Sequence, residues 1–387
     1  MTLSKISTYT DSKRKRKIME KKFKICVYAI SKNEEKHVNK WLESVKEADD
    51  IYVLDTGSTD QTVKLLKQGG CHVKVKEINP WRFDEARNLS LEMIPEDTDI
   101  CVCIDLDESF NPGWRKEIEN IWNDSCTRLR YMYHWKLDEK GNPMTYFYLD
   151  KIHSRKGYTW KHPVHEVLTY EGEGIENFIT TDKIVLKHYP DVTKSRGSYL
   201  PLLELSVKED PEDDRNMHYL GREYMFYEKW NLAIDTLLRH LSLKRATWKD
   251  ERCASMRFIS RCYQALNRPI EAEMWITKAT EEAPYLREPW VEKAFLCYQQ
   301  NRYPEVIKNC EMALTINQKE RNYIQERFCI DSTIDDLLSI SYYQLGNLDQ
   351  AILHAKQAIE YNKEDPRLRK NLEFLLKEKE KEKEKEK

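Results

Sequence analysis

The chain has 387 residues, of which 40% are hydrophobic, and its 64 basic and 66 acidic residues give a net charge of −2. This length allows two or three domains with hydrophobic cores, and the near-neutral charge excludes a global electrostatic attraction to nucleic acid. No run of about 18 apolar residues occurs, so the sequence predicts no transmembrane segment.

The ends of the chain and its cysteines indicate a cytoplasmic protein with two disordered tails. Residues 1–21 are rich in Lys, Arg, Ser and Thr, and residues 371–387 end in alternating Lys and Glu. The basic start has no apolar core behind it, unlike a secretory signal. It is interpreted as a solvated tail, with peripheral contact to an acidic membrane surface as the alternative. The ten cysteines form no C-x-x-C pair, which favours buried free thiols in a reducing compartment.

Strand-like and helix-like runs alternate in the first half of the chain. Four apolar, β-rich runs are each followed by a segment with helical periodicity or helix-forming composition. The strand-like runs are FKICVYAIS (23–31), DDIYVLDTG (49–57), HVKVKEI (72–78) and DICVCIDLDESF (99–110). Such alternation predicts an α/β domain, with a mainly parallel, Rossmann-like sheet between helices on both faces. Sheets of this kind bind ligands at the carboxyl ends of their strands.

Three acidic residues, Asp105, Asp107 and Glu108, close the fourth strand-like run. Side chains two positions apart on a strand share a face, so Asp105 and Asp107 should point the same way. Hard carboxylate oxygens suit Mg²⁺ or Mn²⁺, which usually take further ligands from water and substrate phosphates. The pattern therefore predicts a divalent metal that holds a nucleotide diphosphate. The alternative is an acidic cluster at the N-terminus of the helix that follows.

The second half of the chain, residues 208–370, contains an internal repeat. Four sets of residues share the offsets 0, 1, 4, 13 and 17, with short side chains at offsets 1 and 13; the sets begin at Leu220, Ile259, Lys293 and Leu338. This pattern resembles the tetratricopeptide repeat, a helix–turn–helix unit of 34 residues. It predicts an all-α array with a concave face. Such a face would hold an extended peptide acceptor or mediate self-association.

The motifs of the first half resemble those of inverting glycosyltransferases of family 2, which have a GT-A fold. The motifs are SKNEE (31–35), DTGSTDQT (55–62), FDEARN (83–88) and CIDLDE (103–108). The later YTWKHPVHEVL (158–168) is similar to a subgroup in which tetratricopeptide repeats follow the catalytic domain, as in bacteriocin S-glycosyltransferases. The resemblance covers about residues 23–360 and implies a GT-A domain over residues 22–207.

The resemblance also implies a binding site for a nucleotide sugar, which in this family is usually linked to UDP. Asp55 would bond the nucleobase, and Arg87 would contact the donor diphosphate or sugar. Asp105 would face the ribose and the metal. Asn33 and Glu34, at the end of the first strand, would line the same pocket.

Roles for a metal and a base follow from the same resemblance. Asp107 would be the main ligand of Mn²⁺ or Mg²⁺ beside Asp105, and His188 is placed for a third ligand, although a plain strand-end histidine fits the sequence equally. A general base has to accept the proton of the attacking acceptor. The family usually takes this carboxylate from an acidic pair downstream of the metal motif, and no such pair stands alone in this sequence. Glu166 in HPVHEVL is the candidate, and His165 before it should face away.

Together these patterns predict a metal-dependent inverting glycosyltransferase with a protein, peptide or glycan acceptor. The alternative is a repeat-based adaptor whose first domain is inactive, against which the intact Asp105-x-Asp107 and Arg87–Asn88 argue. A nucleotidyltransferase would need a glycine-rich phosphate loop after the first strand, and SKNEE has no glycine.

Overall fold

The structure of the chain is a computed structural model that describes residues 23–191, 197, 199–317 and 326–385. The N-terminal tail predicted over residues 1–21 lies outside the described residues. We call residues 23–191 the front domain and residues 199–385 the helical array. Within the described residues, no helix is long and apolar enough to cross a membrane.

The front domain contains strands and helices in the alternation that the sequence predicts. Its strands are β1 (Ile25–Ser31), β2 (Asp50–Asp55), β3 (His72–Val75), β4 (Ile100–Cys103), β5 (Glu108–Phe110), β6 (Arg128–Leu137), β7 (Pro143–Ser154), β8 (Tyr158–Lys161), β9 (Val167–Tyr170) and β10 (Phe178–His188). Its helices are α1 (Glu35–Val45), α2 (Thr62–Gln68), α3 (Phe83–Glu92) and α4 (Trp114–Ile121).

Eight strands form one sheet in the order β3-β2-β1-β4-β7-β6-β10-β5, and β8 and β9 form a separate hairpin. Strands β1 to β4 are parallel, whereas β7 runs antiparallel to both β4 and β6. The sheet is therefore mixed beyond β4, because β6 and β7 are joined by a short turn and a hairpin has to be antiparallel. The predicted α/β class with a GT-A arrangement is confirmed.

Different elements cover the two faces of the central strand β1. Ile25 and Val27 belong to a core cluster with residues of α1, α2 and α4. Cys26 and Tyr28 point to the opposite face, where they pack against α3 and the β8–β9 hairpin. Successive side chains of β1 are thus buried on opposite faces of the sheet, as expected for a central parallel strand. All ten cysteines are buried and free, as the sequence predicts.

The helical array contains the predicted tetratricopeptide-type helix pairs. Its helices are α5 (Tyr199–Glu209), α6 (Asp214–Phe226), α7 (Trp230–Ser242), α8 (Lys249–Ala265), α9 (Pro269–Glu282), α10 (Arg287–Gln299), α11 (Tyr303–Thr315), α12 (Thr333–Gln344), α13 (Leu348–Tyr361) and α14 (Pro366–Lys385), with a 3₁₀ turn at Arg327–Cys329. The small residues at offset 1 allow close contact within a pair. Ser260, for example, donates from Oγ to the carbonyl of Ala272 at 2.7 Å.

Two features differ from the sequence prediction of the second half. The predicted low-complexity tail over residues 371–387 is helical as far as Lys385. Leu372 and Leu375 pack against α13 at helical spacing, and Lys381 pairs with Glu378 at 2.7 Å, so the alternating charges lie on a packed helix. The predicted domain border at residues 207/208 falls inside α5, and the domain borders remain a prediction.

Candidate active site

The loop after β2 is fixed by the carboxylate of Asp55, which is fully buried. Its Oδ2 accepts from Oγ of Ser31 at 2.8 Å and of Ser58 at 2.5 Å. Its Oδ1 accepts from the backbone amides of Gly57 at 3.1 Å and Ser58 at 2.8 Å. These four donors fill the acceptor capacity of a carboxylate. A nucleobase would therefore have to displace one of them to reach Asp55.

Asn33 and Glu34 lie beside this loop at the carboxyl end of β1. Asn33 adopts a left-handed backbone conformation with φ of 55°. Its side-chain Oδ1 accepts from the amide of Thr59 at 2.8 Å, and the Glu34 amide donates to Oγ1 of Thr62 at 2.7 Å. The structure thus brings both residues to the end of β2 where Asp55 lies. Their contact with a nucleotide remains a prediction.

Arg87 on α3 connects two carboxylates that are far apart in sequence. The side chain is only 4% exposed. Its Nη1 lies 2.8 Å from Oδ1 of Asp105, and its Nε donates to Oε1 of Glu166 at 2.5 Å. The guanidinium also lies 5.1 Å from the ring centre of Trp160. A planar fork with several fixed donors is suited to this bridging, which a lysine cannot reproduce.

Lys151 on β7 is a site residue that the sequence analysis missed. Its Nζ lies 3.0 Å from Oδ2 of Asp105. Although burial disfavours the charged forms, the attraction between the ions outweighs it. Arg87 and Lys151 hold the pKa of Asp105 well below its usual range, and Asp105 with Glu108 raises the pKa of Lys151. A lone lysine in a strand carries no sequence signal, because only the pairing of β7 with β4 brings it to the acidic cluster.

Two cations contact the carboxylate of Asp105. Both oxygens of this carboxylate are already bonded, by Arg87 and by Lys151. Asp105 as a metal ligand stays a prediction, in which the ion would share this carboxylate with the two cations. Arg87 and Lys151 supply the positive charge that compensates the negative charge of the acidic residues after β4.

The position of Glu108 differs from the alternative interpretation, in which the acidic cluster lies at the N-terminus of the following helix. It is buried, and its Oε2 accepts from the amide of Asp105 at 2.9 Å, which closes the turn after β4. Burial and the charge of Asp105 raise its pKa. At the start of α4, it is Glu47 that accepts from the amides of Gly113 and Arg115.

Asp107 and His188 form the pair that fits a divalent metal best. His188 Nε2 lies 3.3 Å from Oδ2 of Asp107, and both side chains are partly exposed. His188 Nδ1 bonds the carbonyl of Trp135 at 3.1 Å. A metal-binding histidine is usually oriented by such a bond to its other ring nitrogen. Burial lowers the pKa of His188, but the bond to Asp107 outweighs this and raises it.

The donor set at this pair is one carboxylate oxygen and one imidazole nitrogen, both acceptable to Mn²⁺. Among the residues that the structure describes, no group of three or more His, Cys, Asp and Glu side chains is arranged to hold a metal. An ion at Asp107 and His188 would therefore depend on ligands from water and from a diphosphate, as Mg²⁺ and Mn²⁺ commonly do.

The segment between β8 and β9 carries the candidate base. Glu166 points to Arg87, whereas the His165 ring stacks on Tyr219 of the array with 4.4 Å between ring centres. The prediction that these neighbours face apart agrees with this geometry. The indole of Trp160 is buried and donates from Nε1 to the hydroxyl of Tyr28 at 2.9 Å. It is a core residue in this structure.

Comparisons with known proteins find a family model and relatives among glycosyltransferases. Residues 26–164 match the model of glycosyl transferase family 2. An uncharacterised glycosyltransferase of Rickettsia bellii is 35% identical over 100 residues, which cover 26% of this chain and 33% of the relative. The SPbeta prophage-derived glycosyltransferase SunS of Bacillus subtilis is 25% identical over 227 residues, which cover 54% of this chain and 51% of the relative. The chain thus matches at most about half the length of these relatives.

Two solved structures align with part of this chain. The crystal structure of MamA aligns with 46% of this chain and 99% of its own at 14% identity, with a TM-score of 0.36. The crystal structure of the APC/C hetero-tetramer Cut9–Hcn1 aligns with 48% of this chain and 33% of its own at 14% identity, with a TM-score of 0.38.

Proposed function

We propose, because residues 26–164 match the model of glycosyl transferase family 2, that the protein transfers a sugar from a nucleotide-sugar donor with inversion at the anomeric carbon. The donor is a UDP-sugar, and the acceptor is a protein, peptide or glycan held in part by the helical array. The observation that supports this most strongly is Arg87, which joins the acidic cluster after β4 to Glu166.

Each residue of the site has a role in this proposal. Glu166 accepts the proton of the attacking acceptor group, and Arg87 fixes the orientation of its carboxylate. Asp107 and His188 would hold Mn²⁺ or Mg²⁺. When bound, the ion supplies Lewis-acid stabilisation of the charge on the leaving diphosphate. Lys151 keeps Asp105 ionised and in place beside the donor.

The nucleoside part of the donor would lie at the carboxyl ends of β1 and β2. Asn33, Glu34 and Asp55 are close together there. This position agrees with the general rule that open α/β sheets bind ligands at the carboxyl ends of their strands.

A calorimetric titration tests the proposal. UDP-glucose, UDP-N-acetylglucosamine, UDP-galactose and GDP-mannose are titrated into the full chain with Mn²⁺ and again with EDTA. We expect one donor to bind with Mn²⁺ and to lose most of its affinity with EDTA. Failure of every donor to bind would overturn the proposal in favour of a repeat-based adaptor with an inactive front domain.

A further inference from the structure

The loop His162–Glu166, which we call the histidine segment, has a backbone that needs support. His162 and His165 both lie in the left-handed region, with φ of 82° and 52°. Such conformations cost free energy in residues other than glycine, and they persist where surrounding contacts hold them. Because Glu166 directly follows His165, the position of the candidate base depends on those contacts.

The front domain supplies part of this support. The amide of Phe83, the first residue of α3, donates to the carbonyl of Pro163 at 3.0 Å. One turn further along the same helix, Arg87 bonds Glu166. These two contacts hold the middle and the end of the histidine segment against α3.

The helical array supplies further contacts, three of which come from α6 and the residue that caps it. Asp213 Oδ2 lies 3.2 Å from His162 Nε2. Arg215 donates from Nη1 to the carbonyl of His165 at 3.2 Å. The ring of Tyr219 stacks on the His165 ring with 4.4 Å between the centres. Both left-handed residues are thus held by the array.

Apolar packing links the same elements. Val164 is 1% exposed and belongs to a core cluster with Leu203 of α5 and Met217 of α6. The cluster is shared between the front domain and the array, so the two halves are joined through the histidine segment.

We propose that Asp213, Arg215 and Tyr219 are positioning residues, through which the first repeat of the array holds the histidine segment in its active conformation. They act through the backbone that carries Glu166. The expected effect on turnover rests on the proposed role of Glu166 as the base. The support of the histidine segment by the array does not depend on that role. The array is thereby a structural part of the active site in addition to any acceptor binding.

Hydrogen–deuterium exchange of the full chain without ligands tests the link directly. Arg215→Gln replaces the guanidinium that donates to His165 with an amide on a shorter side chain. Asp213→Ser removes the oxygen that faces His162 but keeps a hydroxyl that can cap α6, a role Asp213 has through the amide of Asn216. The control is Asn347→Ala, because Asn347 caps α13 in the same way through Gln350.

We expect exchange to become about tenfold faster across residues 158–170 and at the amide of Phe83 in Arg215→Gln and Asp213→Ser. Asn347→Ala should leave exchange at these positions at the wild-type rate. Wild-type exchange in both test variants, with the control also unchanged, would overturn the proposal. The melting temperatures of the three variants are first compared with that of the wild type, so that a general loss of stability is recognised.

Kinetics then test the catalytic consequence and separate it from the proposed function. The hydrolysis of UDP-glucose to glucose and UDP with Mn²⁺, in which water takes the place of the acceptor, should fall about tenfold in kcat in both variants, with the Kd of UDP retained. If exchange rises and kcat does not change, the positioning role is overturned. If the wild-type protein releases the nucleotide from none of the nucleotide sugars tested, the proposed function fails. Hydrogen–deuterium exchange alone then decides whether the array holds the histidine segment.

Discussion

The Nε atom of Arg87 donates to Oε1 of Glu166 over 2.5 Å, although 79 positions separate the two residues in the chain. The same guanidinium bonds Asp105. One buried cation therefore fixes the relative positions of the acidic cluster and the candidate base. The geometry requires a planar group with donors on two sides.

Replacing this cation should affect stability as well as activity. We expect Arg87→Leu to lower the free energy of unfolding by about 3–5 kcal/mol, because it leaves the carboxylate of Glu166, whose side chain is 12% exposed, without this partner. Urea denaturation of the full chain measures this change. Arg245→Leu, which removes an exposed ion pair with Asp210, should leave the stability near that of the wild type. Equal effects of the two substitutions would contradict the structural role of Arg87.

Glu166→Gln separates proton transfer from positioning. Glutamine keeps an oxygen that accepts from Arg87 but cannot take up the acceptor's proton. We expect turnover to fall by about 10²–10⁴-fold, with donor affinity retained in calorimetry. Glu171→Gln removes an exposed carboxylate that pairs with Lys161, and should retain wild-type turnover. Loss of donor binding in Glu166→Gln would make Glu166 a donor ligand instead of a base.

The sequence predicts elements better than it predicts contacts between them. The strand ends at Asp55 and Asp105 could be placed because an apolar run followed by acids has a clear local pattern. Lys151 could not be placed, since its neighbour Asp105 lies 46 positions earlier. Their contact depends on the antiparallel addition of β7 next to β4, which no local pattern encodes.

Contacts between elements that are distant in sequence also explain two other features that the sequence analysis did not predict. Asp213 and Arg215 resemble ordinary residues at the start of a repeat helix, and only the packing of α6 on the histidine segment gives them a further role. Residues 371–387 have the composition of a low-complexity tail. The helix forms there because Leu372 and Leu375 pack against α13, a contact that composition does not report.

The metal prediction depends on Asp107 and His188. We expect Asp107→Asn and His188→Gln each to weaken the binding of Mn²⁺ in the presence of UDP by at least about 100-fold. Loss of a partner that merely orients a metal ligand already costs about 10–100-fold. Electron paramagnetic resonance of free Mn²⁺ measures this without a catalytic assay. Asp182→Asn, on the same strand as His188, should bind Mn²⁺ as the wild type does. Wild-type affinity in both site variants would move the metal elsewhere.

Gly221 tests the close approach of helices within the first repeat. A Cβ at this position would lie 2.5 Å from Cγ of Leu237, which is fully buried. We expect Gly221→Ala to lower the free energy of unfolding by about 1–3 kcal/mol through overpacking, despite the better helix propensity of alanine. Thermal denaturation measures this. Ser260→Ala, at the equivalent position of the next repeat, loses one hydrogen bond without adding volume and should cost about 1 kcal/mol. A stabilised Gly221→Ala would show that α6 and α7 can separate freely.

His153 gives the front domain a dependence on pH. It is fully buried, its Nδ1 bonds the carbonyl of Ser154 at 2.8 Å, and its Nε2 lies 2.8 Å from the hydroxyl of Tyr28. A neutral ring satisfies both contacts if Nδ1 donates and Nε2 accepts. Burial lowers the pKa of His153 to about 3. Between pH 6.5 and 3 the unfolded chain therefore binds a proton that the folded chain does not, so stability falls as the pH falls.

The size of this effect follows from the two pKa values. With an unfolded pKa of about 6.5, His153 should lower the free energy of unfolding by about 2 kcal/mol between pH 7 and pH 5. His153→Gln cannot take up the proton, so its loss of stability over this range, measured by urea denaturation, should be smaller than that of the wild type by that amount. His72→Gln removes an exposed histidine and should keep the wild-type dependence. Identical slopes for the wild type and His153→Gln would show that the folded protein binds the proton at His153, which the full burial of the ring argues against.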